Sequence, residues 1–437
     1  MDLGTRTHRQ LLAVVGLILA VTLVGLALLW PSADDLPTTE APEDLVAATI
    51  VAVDEQQRED AEEAFPGASG AFATVSLEVM EGPDEGSTID LDVNLDGYPP
   101  FSPGDEVALA RSVVQDEVSY FITDFQRLPT LYLLVGLFVL TVLAVGRWHG
   151  LRSLLGLGIS LFIIVRFVVP AILLGTNPPL VALVGALSVM IVTLYLAHGV
   201  NAMTTSAIIG TTAALVLTIA LGSYFISAGS ITGFASDDAS LARFAVDGLD
   251  LRGLVLAGLI IAALGVLDDV TVAQASTVFA IHETDSTLPF SALFARSMKV
   301  GRDHIASVVN TLFLAYAGAS LALLVLFSTS GLRSTEILNS EVFAEEIIKI
   351  VVGSIGLIAA VPFVTALAAA VALRTPAGAT GGHAHGHGPA GAAVGATPAD
   401  EPEVDDLTDD QRAARAWERY LRDRGLSDEQ DGPDRPG

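Results

Sequence analysis

The sequence contains no cysteine. Disulfides, thiolate metal sites and cysteine nucleophiles are therefore excluded, while the compartment of the loops stays open. Basic residues are scarce as well: 22 Lys and Arg stand against 50 Asp and Glu, for a net charge of -28. Such a chain lacks the basic patches that phosphate backbones require, so nucleic acid is excluded as a partner. Enzyme signatures are missing too. IHETD, at 281–285, offers His282 and Glu283 but no second histidine for a zinc-binding H-E-x-x-H. GVLDD, at 265–269, is not the G-x-G-D pattern of intramembrane aspartyl proteases, and no Walker A or kinase glycine loop occurs. The expectation is a protein that is not an enzyme and needs no cofactor.

Apolar residues, by contrast, make up 51% of the chain. They come in long blocks, and about 20 such residues span a bilayer core of roughly 30 Å as a helix. The blocks fall at 11–30, 130–146, 154–174, 178–197, 206–226, 253–270, 305–327 and 347–373. The expected fold class is an α-helical integral membrane protein of about eight transmembrane helices, with the lipid bilayer as its main partner. The first block, Leu11 to Trp30, follows Arg6, His8 and Arg9. It exceeds the roughly 7–15-residue core of a signal peptide, and WPSADD is a poor cleavage site, so residues 1–30 read as an uncleaved anchor. With the N-terminus inside, Arg147 and Arg152, then Arg296, Lys299 and Arg302, then Arg374 also fall inside. The acidic GFASDDASLARFAVDGLD falls outside, so both termini are expected in the cytoplasm.

Residues 31–128 hold 23 Asp and Glu against three Arg, Arg58, Arg111 and Arg127, a net of 23 − 3 = 20 negative charges. After the Pro-rich linker PSADDLPTTEAPED, five stretches have strand character: LVAATIVAV, AFATVSLEV, STIDLDVNL, DEVALARSV and EVSYFITDF. EGPDEG between the second and third marks a hairpin. Five short strands suggest a small closed barrel, OB-like or SH3-like, on the extracytoplasmic side. A plain spacer and a module that binds a ligand or a partner are both open readings. Residues 129–374 form the seven-helix membrane domain. The low-complexity remainder, 375–437, reads as a disordered cytoplasmic tail. Its GGHAHGHG carries His383, His385 and His387, which can hold a divalent metal only weakly. Within it, about 406–424 patterns as one amphipathic helix, capped by Asp406 or Thr408 and stopped by Gly425.

The chemistry gathers around GVLDDVTVAQAS, at 265–276. Leu251 to Ile281 is 31 nearly apolar residues, about 46 Å as a helix, too long for one crossing and too short for two. One crossing that extends or breaks at the cytoplasmic side is expected. Gly258, Ala262, Gly265, Asp269, Ala273, Ser276 and Ala280 recur at intervals of three and four, a stripe of the kind on which membrane helices pack. Asp269 is on that stripe and should face the bundle interior; Asp268 is rotated by about 100° from it. An intramembrane carboxylate suggests function, against the alternative of one that merely marks a helix end. Arg166 lies within an apolar block, four residues before Pro170, which removes a hydrogen bond and should kink the helix. Asp269 or Asp268 is its candidate partner, and backbone carbonyls are the alternative. In GRDHIASVVNTLFLAYAG, Asp303, Ser307 and Asn310 share a helical face with Thr311 beside it. In HGVNAMTTSAIIGT, Thr204 or Thr205 is the expected helix cap.

GVLDDVTVAQAS, GRDHIASVVNTLFLAYAG and IIKIVVGSIGLIAAVPFVTAL, in that order, resemble the YibE/F-like family of bacterial multi-pass membrane proteins over about residues 45–373. The resemblance places the family's G-A-x-x-D aspartate on Asp269, with Val266 where Ala is usual, and its G-R-D and N-T-L positions on Asp303, Asn310 and Thr311. Arg166, the histidine tract and the C-terminal helix are outside the family's pattern. The resemblance implies a bacterial plasma-membrane protein and carries no assigned reaction. Two expectations follow: a permease or secondary transporter of a small solute or ion, proton- or cation-coupled through Asp269; or a non-transporting scaffold or sensor whose outer β domain binds a partner protein. A homo-oligomer is compatible with both.

Overall fold

A computed structural model describes residues 3–32, 45–57, 71–95, 100–114, 117–235, 237–246 and 248–374. The histidine tract and the expected helix at 406–424 lie outside the described residues. After α1 (Leu3–Leu29) come five strands, β1 (Leu45–Gln57), β2 (Ala71–Val79), β3 (Thr88–Asn94), β4 (Glu106–Val114) and β5 (Glu117–Phe125).

The strands fall on the five stretches expected from their alternation. They form one curled antiparallel sheet in the order β3-β2-β1-β4-β5. Alternate residues of β2, namely Ala73, Val75, Leu77 and Val79, are buried against Val46, Ala48 and Ile50 of β1 and Val107 and Leu109 of β4. The other face of β2 is polar: Thr74 and Ser76 hydroxyls donate to Asp92 and Asp90 of β3 at 2.7 and 2.6 Å. A bulge between Ile50 and Ala52 shifts the β1–β2 register by one residue, which bends and twists the strand. No ladder joins β3 to β5 among the described residues, so the sheet curls without the closed cylinder expected of a barrel.

The helices are α2 (Leu128–Ile163), a π-turn (Ile164–Val168), α3 (Val169–Leu173), α4 (Pro178–His198), α5 (Ala202–Ala228), α6 (Asp237–Ala245), α7 (Leu251–Thr284), α8 (Phe290–Ala319), α9 (Leu321–Thr329), α10 (Ser334–Asn339) and α11 (Glu341–Ala372). Six helices are long and apolar enough to cross a membrane, or seven if α8 and α9, bent by 62° at Ser320, count as one. The difference from eight lies in the run Leu128–Leu173, which joins the expected blocks 130–146 and 154–174 into 46 residues. That run is not straight. Arg147 leaves the helical region at φ 48°, ψ -126°, and a Cβ on Gly150 would collide with the Val142 carbonyl eight residues back. Eight residues of straight helix would separate those groups by about 12 Å, so the chain turns sharply there. Pro170 acts differently from the expected kink: the preceding turn widens into the π-turn, which absorbs the missing donor.

Helix α7 runs unbroken for 34 residues, started by Asp250, whose Oδ1 accepts the Gly253 N–H at 2.9 Å. Around it pack α4, α5 and α11 in one core that includes Met190, Leu215, Leu259, Ile260, Leu267 and Leu357. Close approach comes from glycines elsewhere than on α7: a Cβ on Gly210 would collide with Val364, one on Gly356 with Thr218, and one on Gly222 would stand 2.7 Å from Leu259.

Candidate functional site

The packing of α7 decides the placement of its two carboxylates. Bulky residues at 256, 259, 260, 264 and 267 fill the core and fix the buried face. Gly258, Ala262, Gly265, Asp269, Ala273, Ser276 and Ala280 are all exposed, on the opposite side. The expectation that this stripe carries Asp269 inward is therefore corrected: Asp269 looks out of the bundle. Asp268 is the half-buried member, and its Oδ1 is shielded from solvent with no hydrogen-bond partner among the described residues. Small residues can mark a packing face only when larger neighbours do not compete for it, and here they do.

One imidazole attends the pair, and a second attends the first. His198 ends α4 within electrostatic reach of Asp269 and of His149, which follows the turn at Arg147. Helices α4 and α7 run parallel, since Pro178 sits beside Gly253 at their starts, so His198 at the end of the shorter α4 comes near the level of the carboxylates at the middle of α7. Neither the histidines nor Asp268 stood out from spacing as one group, because three separate elements supply them.

Other expected site residues are not gathered here. Arg166 is exposed on the π-turn and makes no ion pair with Asp268 or Asp269. Asp303, Asn310 and Thr311 are exposed on α8, where the Thr311 hydroxyl donates to the Ser307 carbonyl at 3.0 Å. The polar face of α8 thus points away from the core that Ile305, Val308 and Val309 join. The cap of α5 is Asn201, whose Oδ1 accepts the Thr204 N–H at 2.8 Å, rather than Thr204 or Thr205.

A buried polar junction had no sequence signal beyond isolated polar letters. Gln274 of α7 donates to the Ser297 carbonyl of α8 at 3.1 Å and to the Thr365 hydroxyl of α11 at 2.7 Å. Gly301, in the G-R-D stretch, lets α8 approach it. Thr211 and Thr271 hydroxyls meet at 2.6 Å between α5 and α7. On α11, Lys349 pairs with Glu345 at 2.7 Å and Glu346 at 3.1 Å. That group was readable as E-E-x-x-K, with partners three and four residues apart. In the sheet, Asp84 at the β2–β3 turn accepts from the Tyr120 hydroxyl and from Arg111 Nε at 3.0 Å. The Tyr120 hydroxyl, then Arg111, hold its carboxyl below the usual carboxylate range.

The sequence model of the YibE/F-like protein family matches residues 134–374. The chain belongs to the YibE/F-like family. The matched segment runs from α2 to just past α11 and includes Asp268, Asp269, Gly301, Asp303 and Asn310, whereas α1 and the β sheet precede it. The chain matches no curated protein and no solved structure. Family membership together with several apolar helices points to a membrane protein.

Proposed function

We propose that this YibE/F-like chain is a permease, a secondary transporter of a small solute or ion, coupled to protons or cations through the Asp268–Asp269 pair. One observation carries the reading: the Asp268 oxygen shielded from solvent without a hydrogen-bond partner among the described residues, on a mainly apolar helix. A carboxylate oxygen so placed is relieved by a proton or a cation, and ionisable groups at membrane depth serve ion pathways. The His198 imidazole lies within electrostatic reach of Asp269 and adds a second polar group beside the pair. The finer architecture belongs to the same proposal: eight crossings, both termini in the cytoplasm, the sheet outside, in a bacterial plasma membrane. In proteoliposomes under an imposed pH gradient, Asp268→Asn should abolish gradient-driven flux and Asp269→Asn should weaken it. Flux indifferent to both substitutions removes the coupling role.

One observation favours the scaffold or sensor reading instead. Val113 and Val118, cross-strand neighbours on β4 and β5, are exposed on a sheet that precedes the family segment. Deleting residues 36–125 separates the two: a transporter keeps flux, whereas a receptor loses its partner.

A further inference from the structure

Several side chains on the membrane helices carry polarity outward. Arg166 is exposed on the π-turn, Asp269 on α7 and Asn310 on α8, and none has an ion pair or side-chain hydrogen bond among the described residues. Lipid tails compensate neither an arginine nor a carboxylate, so such groups turn toward protein or water. Arg166 and Asp269 are of opposite sign and stand on elements that pack together. Ile159 and Ile163, on the turns leading to Arg166, share a core cluster with Leu254 and Ile261, which flank the open face of α7.

The surface around Asp269 is built for another helix. Gly258 and Gly265 have nothing within 4 Å of where a Cβ would stand, and Ala262 and Ala273 between and beyond them are exposed. Against lipid, a row of Gly and Ala forfeits packing; against a second helix, it lets backbones approach closely. Depth is compatible. Val168 packs on Gly185 of α4, and α4 starts level with Gly253 of α7. That places Arg166 about seven residues, roughly 10 Å, from the level of Asp269, a separation that a long arginine stem and helix tilt cover.

We infer that a second copy of this chain covers the open face of α7, with Arg166 of each copy paired to Asp269 of the other. The arrangement is isologous: one patch meets itself about a twofold axis and forms two equivalent ion pairs. It rests on the reading that these helices lie in a bilayer, and it gives Arg166 and Asp269 each a partner of opposite sign.

The absence of cysteine makes the test direct. Two differently tagged copies are co-expressed, one carrying Arg166→Cys and the other Asp269→Cys, and membranes are oxidised. Each mixed pair keeps one native Arg166–Asp269 contact. The expected product has doubled mass and both tags, while Ala263→Cys copies, substituted on the buried face, stay unlinked. Wild type in nanodiscs should show two copies. Arg166→Asp should shift it to one, and Arg166→Asp combined with Asp269→Arg should restore two. If the charge variants fail to insert, the cysteine pair still decides. Wild type that remains single, or copies that never link through positions 166 and 269, overturns the inference. Single copies that still carry coupled flux sink the pairing alone; paired copies without flux sink the transporter reading alone.

Discussion

Gly301 stands where α8 leans on α7 and α11, and a Cβ there would lie 2.7 Å from Val361 Cγ1 and 2.9 Å from Gln274 Oε1. Gln274 is held by two hydrogen bonds and Val361 is fully buried, so neither yields easily. Gly301→Ala should therefore destabilise the bundle by about 1–3 kcal/mol, the usual range for overpacking, read as a lower melting temperature in detergent. No change would mean that α8 moves freely off the junction. A second residue-scale prediction concerns pH. The Tyr120 hydroxyl and Arg111 hold the Asp84 carboxyl below its ordinary range, whereas an unfolded Asp titrates near about 3.9. Its folded value is depressed, so its contribution is complete above the unfolded value and fades as pH falls through the folded one. The infrared melting of the β component should drop below about pH 4 in wild type and much less in Asp84→Asn. Equal acid sensitivity would deny Asp84 this role. The identity of the acidic pair was readable from the sequence, but its orientation was not. Spacing alone offered two complementary faces on α7, and the choice depended on which one α4, α5 and α11 covered.

At the scale of elements, the strands were the most readable part, because β2 alternates buried and open residues along its length and glycines at φ 97° and 79° close the hairpin after it. Helix ends were less readable. Between Leu128 and Ile163 Arg147 is the residue that leaves helical dihedrals, and its positive φ is a property of the turn rather than of the residue type. The glycine three residues later is the better signal, since only a residue without a side chain lets the second arm pass the Val142 carbonyl. Gly150→Val should thus prevent this turn from closing, with loss of membrane-integrated, monodisperse protein. Gly158→Val, on the same run with nothing within 4 Å, should leave it intact. Indistinguishable behaviour of the two variants would mean that the turn does not depend on Gly150. The bend at Ser320 was likewise invisible, because α8 and α9 are continuous in apolar character across it.

For the whole molecule, the number of crossings between the β sheet and the α7–α8 connection is the deciding quantity. If Leu128–Leu173 crosses once, four crossings separate Ser87 of the sheet from Thr287 of that connection, and both lie on the same side. If it turns at Arg147 and crosses twice, five separate them and they lie on opposite sides. A straight helix of 46 residues would measure about 69 Å against a core of roughly 30 Å, and the sharp turn at Arg147 supplies the reversal that two crossings need. The charges agree, since Arg147 and Arg152 flank that reversal while Arg296, Lys299 and Arg302 follow the α7–α8 connection. Single-cysteine labelling on the cysteine-free chain reads the answer directly. Ser87→Cys should react with an impermeant maleimide in intact cells, and Thr287→Cys only after the membrane is opened. Reaction of both in intact cells would reduce the run to one crossing and place the C-terminal end of α7 on the outer side, which would reverse the direction from which protons reach the carboxylates.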